Sequence, residues 1–409
     1  MRVVIVGGGV AGLALALGLR RQGIDYVVLE QAPKFEAVGA GIQLSPNATR
    51  TLGYLGVMER LEPRVVRPGH HRFVAWDTAE PLLTTPLGDA VHETFGTPYF
   101  HAHRADLLDA ILAEIGEDER IQMNAHVNEV GEVGEDGARA WAVLADGSHV
   151  EGDVLIAAEG VRSRIREQMF EPEAPQFSGC MAWRGLTPAS VAKSLGFEHD
   201  SYIWMGPERS VVIYYVSGGE LINWIGIGPS DGDTRESWTT QGTTEAALEE
   251  YDGWHPMVRG LIEQSAPPFK WALYDRQPLE SWVHGRIALI GDAAHAMLPY
   301  HAQGATQSIE DAWVLARRLA LSANADAALA SYQALRQERT AQVQGASRAA
   351  QTLFHMSDET ALARRNQRFR SMQASIGEGF PPGQEWLFAY DPEKAASGED
   401  GDWQKMAWR

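Results

Sequence analysis

The first thirty residues alternate apolar runs with glycine breaks. Arg2 to Val6 is apolar and β-branched, which predicts a short buried strand. Three glycines interrupt it. Ala11 to Leu19 then reads as a helix, and Tyr26 to Leu29 as a second strand ending at Glu30. The same order returns far downstream. Ile287 to Ile290 predicts a buried strand that stops at Gly291-Asp292, and a loop with Pro299, His301 and Gly304 follows. Ile309, Trp313, Leu315 and Ala316 then fall on one side of a helix, and helical patterning continues to about Phe354. Val154 to Ala158 is a further apolar strand. Gly39 to Leu52 predicts a glycine-rich loop entering a helix capped near Ser45. "HAHRADLLDAILAEI" predicts an amphipathic helix with Arg104 at its start. From about Gln176 to Asp275 the texture changes to short aromatic and β-branched runs between turns: "CMAWRGL", "SYIWM", "SVVIYYVSGG" and "LINWIGIG".

This order predicts an α/β chain. A Rossmann-like nucleotide-binding domain spans 1–175 and 276–355. A mixed β-sheet substrate domain, 176–275, is inserted into it. C-terminal helices follow, and 356–409 forms a terminal segment. From Asp391 to Arg409 the chain is polar and acidic, with Trp403 and Trp408, and is expected to be a loosely held tail.

Composition narrows the partners. The 409 residues carry a net charge of -19, which argues against nucleic acid or an anionic membrane. Cys180 is the one cysteine, so no disulfide framework forms within the chain, and the expected role is a small core residue. No metal site is expected. The apolar N-terminus is broken by glycines and lacks a cleavage signal, and no uninterrupted apolar run reaches the roughly 18 residues of a membrane span. A cytoplasmic location is the expectation.

"GGGVAG" places Gly7, Gly9 and Gly12 on the G-x-G-x-x-G spacing after a strand and at the start of a helix. Gly7 permits a tight turn, Gly9 admits a pyrophosphate, and Gly12 lets helix and strand pack closely. The helix N-terminus, with Val10 and Ala11, favours the phosphate charge. Glu30 lies eighteen residues past Gly12, placed to bond ribose hydroxyls and to disfavour a 2′-phosphate. FAD and NAD both satisfy this site. Arg162, Arg164 and Arg166 are candidates for a second anion contact, with a solvated helix face as the alternative. The downstream repeat separates the two cofactors. Asp292 can bond polyol hydroxyls, and the helix from Gly304 can stabilise the negative N1–O2 edge of a reduced isoalloxazine. That prefers FAD.

With these motifs the chain resembles the class A flavoprotein aromatic hydroxylases, the para-hydroxybenzoate hydroxylase fold. It is most similar to the salicylate hydroxylase, 3-hydroxybenzoate 6-hydroxylase and 6-hydroxynicotinate 3-monooxygenase branch. The resemblance runs from Gly7 to about Tyr390 and rests on "GGGVAG", "HRADLL", "AAEGVRSRIR" and "GRIALIGDAAHAMLPYHAQGATQSIEDA". It implies FAD contacts at Val10, Ala11, Glu30, Arg104, Val127, Asp292, Gly304 and Ala305, and by position at Gly41, Ile42 and Pro299. It implies transient reduction by NADH or NADPH, then hydroxylation of a small phenolic or hydroxylated N-heteroaromatic acid through a flavin C4a-hydroperoxide formed with O₂. A monomer or homodimer is expected.

Three departures stand out. Glu159 replaces the family's usual Asp, Ile213 stands near a usual sheet histidine, and Tyr300 replaces the histidine after the loop proline. The acid–base candidates are therefore Tyr214, Tyr215, Tyr300, His301 and Gln303. Adjacent strand residues point to opposite faces, so only one of Tyr214 and Tyr215 can reach the cavity. His295 is expected to be structural. The competing readings are a non-oxygenating FAD enzyme and a flavin-binding sequestering or sensor protein without turnover.

Overall fold

A computed structural model describes residues 1–35, 41–134, 137–170, 173–230, 232 and 241–399. Gly39, Trp403 and Trp408 lie outside the described residues.

Six strands form one sheet, in the order Val283–His284, Ile287–Leu289, Val154–Ala157, Arg2–Val6, Asp25–Leu29, Ile121–Gln122. Arg2–Val6 runs parallel to Asp25–Leu29 and to Val154–Ala157, which in turn runs parallel to Ile287–Leu289. Helices cover such a sheet on its faces, which is why its strands read as unbroken apolar runs. Parallel pairing also explains the repeat in the sequence. The loops after Val6, Ala157 and Leu289 all leave from the same sheet edge, where ligands of open α/β sheets bind. The helices that follow two of these loops, Val10–Arg21 and Gly304–Leu321, pack together. At Gly18 an added Cβ would stand 3.0 Å from the Ala316 Cβ.

A second sheet has seven strands: Phe269–Asp275, Gln176–Pro188, Leu221–Pro229, Ser210–Val216, Ser201–Met205, His70–Ala75 and Pro81–Pro86. It is not confined to 176–275, because the hairpin formed by the last two strands extends it from within the first part of the chain. One face packs under three short helices, Ala189–Ser194, Thr244–Glu250 and Pro256–Glu263, with Trp204, Ile213, Tyr215 and Trp224 in that core. The other face carries Val212, Ile225, Ile227 and Leu273 toward the first sheet.

Two local expectations change. Gly41–Leu44 is a strand paired with Phe100–His103 rather than a loop, because its backbone finds a partner edge. Ser45 precedes the helix Pro46–Tyr54 but makes no side-chain cap; its hydroxyl bonds Asn47 instead. The acidic tail is also corrected over the part described. Pro392–Ser397 is a helix tied down by Glu393, which accepts from Arg317 and Trp313. Among the described residues no helix is long and apolar enough to cross a membrane, and no group of residues has the makings of a metal site.

A buried ionic cluster locks the long helix Ala325–Phe354 onto Gly304–Leu321. Arg336 donates to Glu310 at 2.6 Å and to Asp311 at 2.7 Å, and Arg339 donates to Glu310 at 2.9 Å. All four side chains are buried. Asn47 and Gln307 complete the set, so the charges have hydrogen-bond partners as well as counter-ions.

Candidate active site

The loop after the first strand is built by close contacts that only glycine allows. Gly7 has φ +109°, and a Cβ there would lie 2.5 Å from the Ala158 carbonyl oxygen. A Cβ on Gly12 would lie 1.9 Å from the Gly7 carbonyl oxygen. At Gly9 nothing stands within 4 Å, so this side of the loop is open. It opens on a cavity of about 380 Å³. Gly7, Gly9, Val10, Ala11 and Glu30 line one wall; Arg104, Val127, Asp292 and Ala305 line the other. Gly12 does not face the cavity and acts through helix–strand packing. The Glu30 carboxylate is fixed by the Gly8 N–H at 2.6 Å and the Ala32 N–H at 2.8 Å.

The basic run divides by role. Arg162 and Arg164 line the cavity. Arg166 is buried and donates to the carbonyls of Ala293 and Ala294, pinning the turn that carries Asp292. Glu159 lines the cavity and accepts from the Ser163 hydroxyl at 2.6 Å, with burial raising its pKa. Asp292 is packed round by protein but its side chain is exposed to the open cavity space. Burial raises its pKa, against the pull of His295 and Arg104. Burial lowers Arg104, partly offset by Asp292. His295 is structural, bonded to Asp311 at 2.6 Å.

Asp292 and Ala305 also line a second cavity, of about 290 Å³. Gly41, Ile42, Pro299 and Gly304 join them on the nucleotide side. The sheet contributes Val212, Tyr214, Ile225, Ile227, Trp271 and Leu273, and Tyr300 and Phe354 close the end. The helix Gly304–Leu321 begins at this cavity with no side-chain cap and no acid in its first turn. Its first N–H groups are oriented to meet a negative ligand edge. Gly41 is required here, since a Cβ would sit 2.5 Å from the Tyr214 ring.

Three acid–base candidates and one comparison are corrected by these positions. Tyr215 lies on the opposite sheet face, where its hydroxyl donates to the Phe197 carbonyl at 2.9 Å. Gln303 is buried in a polar network, donating to Ser45 at 2.9 Å and accepting from Gln307 at 3.1 Å. His301 turns away toward the backbone at Ala346, and burial pushes its pKa down to about 4. Ile213 also points to the far face, so the cavity positions of that strand are Val212 and Tyr214. Tyr214 and Tyr300 remain at the cavity, both with hydroxyl pKa values raised by burial. Val212 and Gln43 were within reach of the sequence through the two-residue strand period. Trp271, Phe354 and the packing of the fully buried His101 against Tyr214, ring centroids 4.7 Å apart, were not, because they come from remote segments.

Comparison with known proteins agrees with this geometry. The model of a family described as "FAD binding domain" matches residues 1–348. The 3-amino-4-hydroxybenzoate 2-monooxygenase of Streptomyces cremeus is 36% identical over 384 residues, covering 91% of this chain and 92% of its own. The 6-hydroxynicotinate 3-monooxygenase of Pseudomonas fluorescens is 35% identical, covering 84% of this chain and 89% of its own. A solved salicylate hydroxylase substrate complex superposes with a TM-score of 0.81 at 26% identity, covering 98% of each chain.

Proposed function

The chain belongs to the FAD-binding domain family and is an FAD-dependent monooxygenase, and from that premise we propose that it hydroxylates a small phenolic or hydroxylated N-heteroaromatic acid with O₂ and NADH or NADPH. The observation that carries this reading is the meeting of the two cavities at Asp292 and Ala305. One is glycine-walled and charged, suited to adenosine and pyrophosphate. The other is lined mainly by apolar and aromatic side chains, suited to aromatic rings.

The cradle at Gly9, the open carboxylate of Asp292 and the uncapped helix at Gly304 fit FAD. Bound there, FAD supplies the redox chemistry and activates O₂. Glu30 would hold the ribose. Arg104, Arg162 and Arg164 would balance the phosphates. Asp292 would accept from the polyol hydroxyls. Gly41, Ile42 and Pro299 would flank the ring system, and Gly304 and Ala305 would offer N–H groups to its electron-rich edge. The apolar wall of Val212, Ile225, Ile227 and Leu273 excludes water from the reacting ring. Tyr214 and Tyr300 are the residues proposed to hold the ring's polar substituents and its phenolic proton. At neutral pH both are protonated, so each can donate or accept.

The test is NADH and NADPH oxidation by the FAD-loaded protein against hydroxybenzoates, aminohydroxybenzoates and hydroxypyridine carboxylates, with products weighed. Stimulation by one compound, with gain of one oxygen, is expected. Flavin-bound protein that no aromatic stimulates would defeat the proposal.

A further inference from the structure

Behind the end wall of the ring cavity lies a run of polar groups that the reading above does not use. Tyr300 lines the cavity and is 9% exposed, and its hydroxyl makes no hydrogen bond of ordinary geometry. A buried hydroxyl left this way is costly unless a ligand completes it. It lies against the thiol of Cys180. The Cys180 sulfur accepts from Gln351 Nε2 at 3.1 Å and meets His355 Nδ1 at 3.7 Å. His355 Nε2 lies 3.0 Å from the Ser210 hydroxyl. The imidazole also packs edge-on to the Tyr300 ring, with centroids 5.4 Å apart. Four segments distant in sequence thus meet at one point, within an apolar core that includes Leu298, Ile227, Phe354 and Phe369.

The protonation states of this chain limit it to two senses. Burial, helped by Arg209 and Arg365, pushes His355 down to about 4, so the ring is neutral, with one donor and one acceptor nitrogen. Burial raises the Cys180 thiol, so it keeps its proton. Two arrangements satisfy these groups. In one, His355 Nε2–H donates to Ser210 and the thiol donates to Nδ1, which leaves sulfur as an acceptor facing Tyr300. In the other, Ser210 donates to Nε2, Nδ1–H donates to sulfur, and the thiol donates to the Tyr300 oxygen. The first draws the Tyr300 proton away from the cavity; the second frees it to point inward.

We propose that Ser210, His355 and Cys180 form an orienting relay for the Tyr300 hydroxyl, and that Tyr300 so held binds a polar substituent of the aromatic substrate, as acceptor or donor according to the sense of the relay. This rests on the ring-hydroxylase reading. Cys180 and His355 are positioning residues in it, acting through Tyr300. His355 lies beyond the segment matched by the family model, which ends at 348.

The experiment titrates FAD-loaded enzyme with 3-hydroxybenzoate, 6-hydroxynicotinate and 3-amino-4-hydroxybenzoate, following the flavin absorbance, and measures product formed per NAD(P)H consumed. Flavin content and melting temperature are recorded for every variant. His355→Leu and Cys180→Ala are expected to weaken ring binding about tenfold and to lower the product ratio. His355→Gln and Cys180→Ser, which keep a donor and an acceptor, are expected to recover most of the loss. Tyr300→Phe should match His355→Leu, and the double variant should be no worse than Tyr300→Phe alone. Unchanged affinity in His355→Leu and in Cys180→Ala would overturn the relay, as would additive losses in the double variant. Failure of all three compounds to perturb the unmutated holoenzyme would instead overturn the ring-hydroxylase reading, and the relay's role with it.

Discussion

Two long helices point their N-termini at the paired cavities, and neither is capped by its own sequence. Val10–Arg21 follows Gly9, and Gly304–Leu321 follows Gln303. Neither has a side-chain cap or an acid in its first turn. Two other long helices are treated differently. Asn324 caps Ala325–Phe354, and Asp358 caps Glu359–Ile376, each by accepting from a backbone N–H. A cap satisfies the helix's orphan donors at little cost. Its omission at both cavities leaves donors that a ligand can take. Omission alone is not the signal, since the shorter helices Pro46–Tyr54 and Gly88–Phe95 lack a cap too, and it is the open cavity in front of these two ends that gives it meaning. The two uncapped ends also differ from each other. The first is surrounded by charge, from Glu30, Arg104, Arg162 and Arg164. The second faces apolar side chains and a single carboxylate, Asp292.

Asp292 belongs to both cavities, so its removal should have the largest effect. Its pKa is raised by burial, which means that the ionised carboxylate is worse off in the folded apoprotein than in the unfolded chain. Its contribution therefore opposes folding in full above the folded pKa and fades as pH falls from there to the unfolded value. Asp292→Asn is expected to leave the apoprotein's melting temperature equal or higher. FAD retention should fall by roughly ten- to a hundredfold, the worth of charge-assisted hydrogen bonds. Parallel thermal melts and flavin titrations check this. A variant that loses stability but keeps its flavin would show Asp292 to be a structural residue instead.

The ionic cluster beneath the second helix tests the opposite sign. Burial alone would raise Glu310 and Asp311, but Arg339 and Arg336 outweigh it for Glu310, as do His295 and Arg336 for Asp311, and both carboxylates sit below their usual range. Folded values below unfolded ones give stability that is present above about pH 4, where the unfolded chain titrates, and lost as pH falls through the folded values. Melting temperature is expected to drop steeply on acidification below that point. Arg336→Leu, which removes the cation shared by both buried carboxylates and leaves Glu310 to Arg339 and Asp311 to His295, is expected to cost about 3 kcal/mol and to flatten the acid limb. An acid limb unchanged in that variant would place the sensitivity elsewhere.

The contrast between the two cavities also governs how much could be read in advance. The nucleotide end was legible because its requirements fall on backbone and on neighbours in sequence. Gly7 and Gly12 are dictated by backbone so close that a Cβ would lie 2.5 Å and 1.9 Å from a carbonyl oxygen, Gly9 keeps the cavity side of the loop open, and Glu30 follows the next strand. The fold class followed from the same periodicities. The ring end is assembled from seven segments remote in sequence, so its residue types were visible but not their directions. Gln303 and His301 lie beside the right loop and turn away from it, one into the ionic cluster's polar fringe and the other toward the helix Ala325–Phe354. Strand alternation could separate Tyr214 from Tyr215, but only the pairing of Ser210–Val216 within its sheet says which face meets the cavity. The hairpin His70–Ala75 and Pro81–Pro86 was missed for a related reason, since joining a sheet across a hundred residues leaves no local signal.

Those two tyrosines give the finest test of the division between the sheet's faces. Both are nearly inaccessible, adjacent, and chemically identical. Tyr215 has a complete hydrogen bond, to the Phe197 carbonyl at 2.9 Å, in a core of Trp204, Trp224 and Ile213. Tyr215→Phe should cost about 1 kcal/mol of stability, and its steady-state constants should not move. Tyr214 forms part of the ring cavity and packs over Gly41 and His101. Tyr214→Phe should leave the melting temperature nearly unchanged and raise KM for the aromatic about fivefold, or lower the product formed per NAD(P)H, depending on whether the hydroxyl holds the ring in the ground state or only as it reacts. If the two substitutions exchange these effects, the cavity lies on the other face of the sheet, and the assignment of Val212, Ile225 and Ile227 to the substrate falls with it.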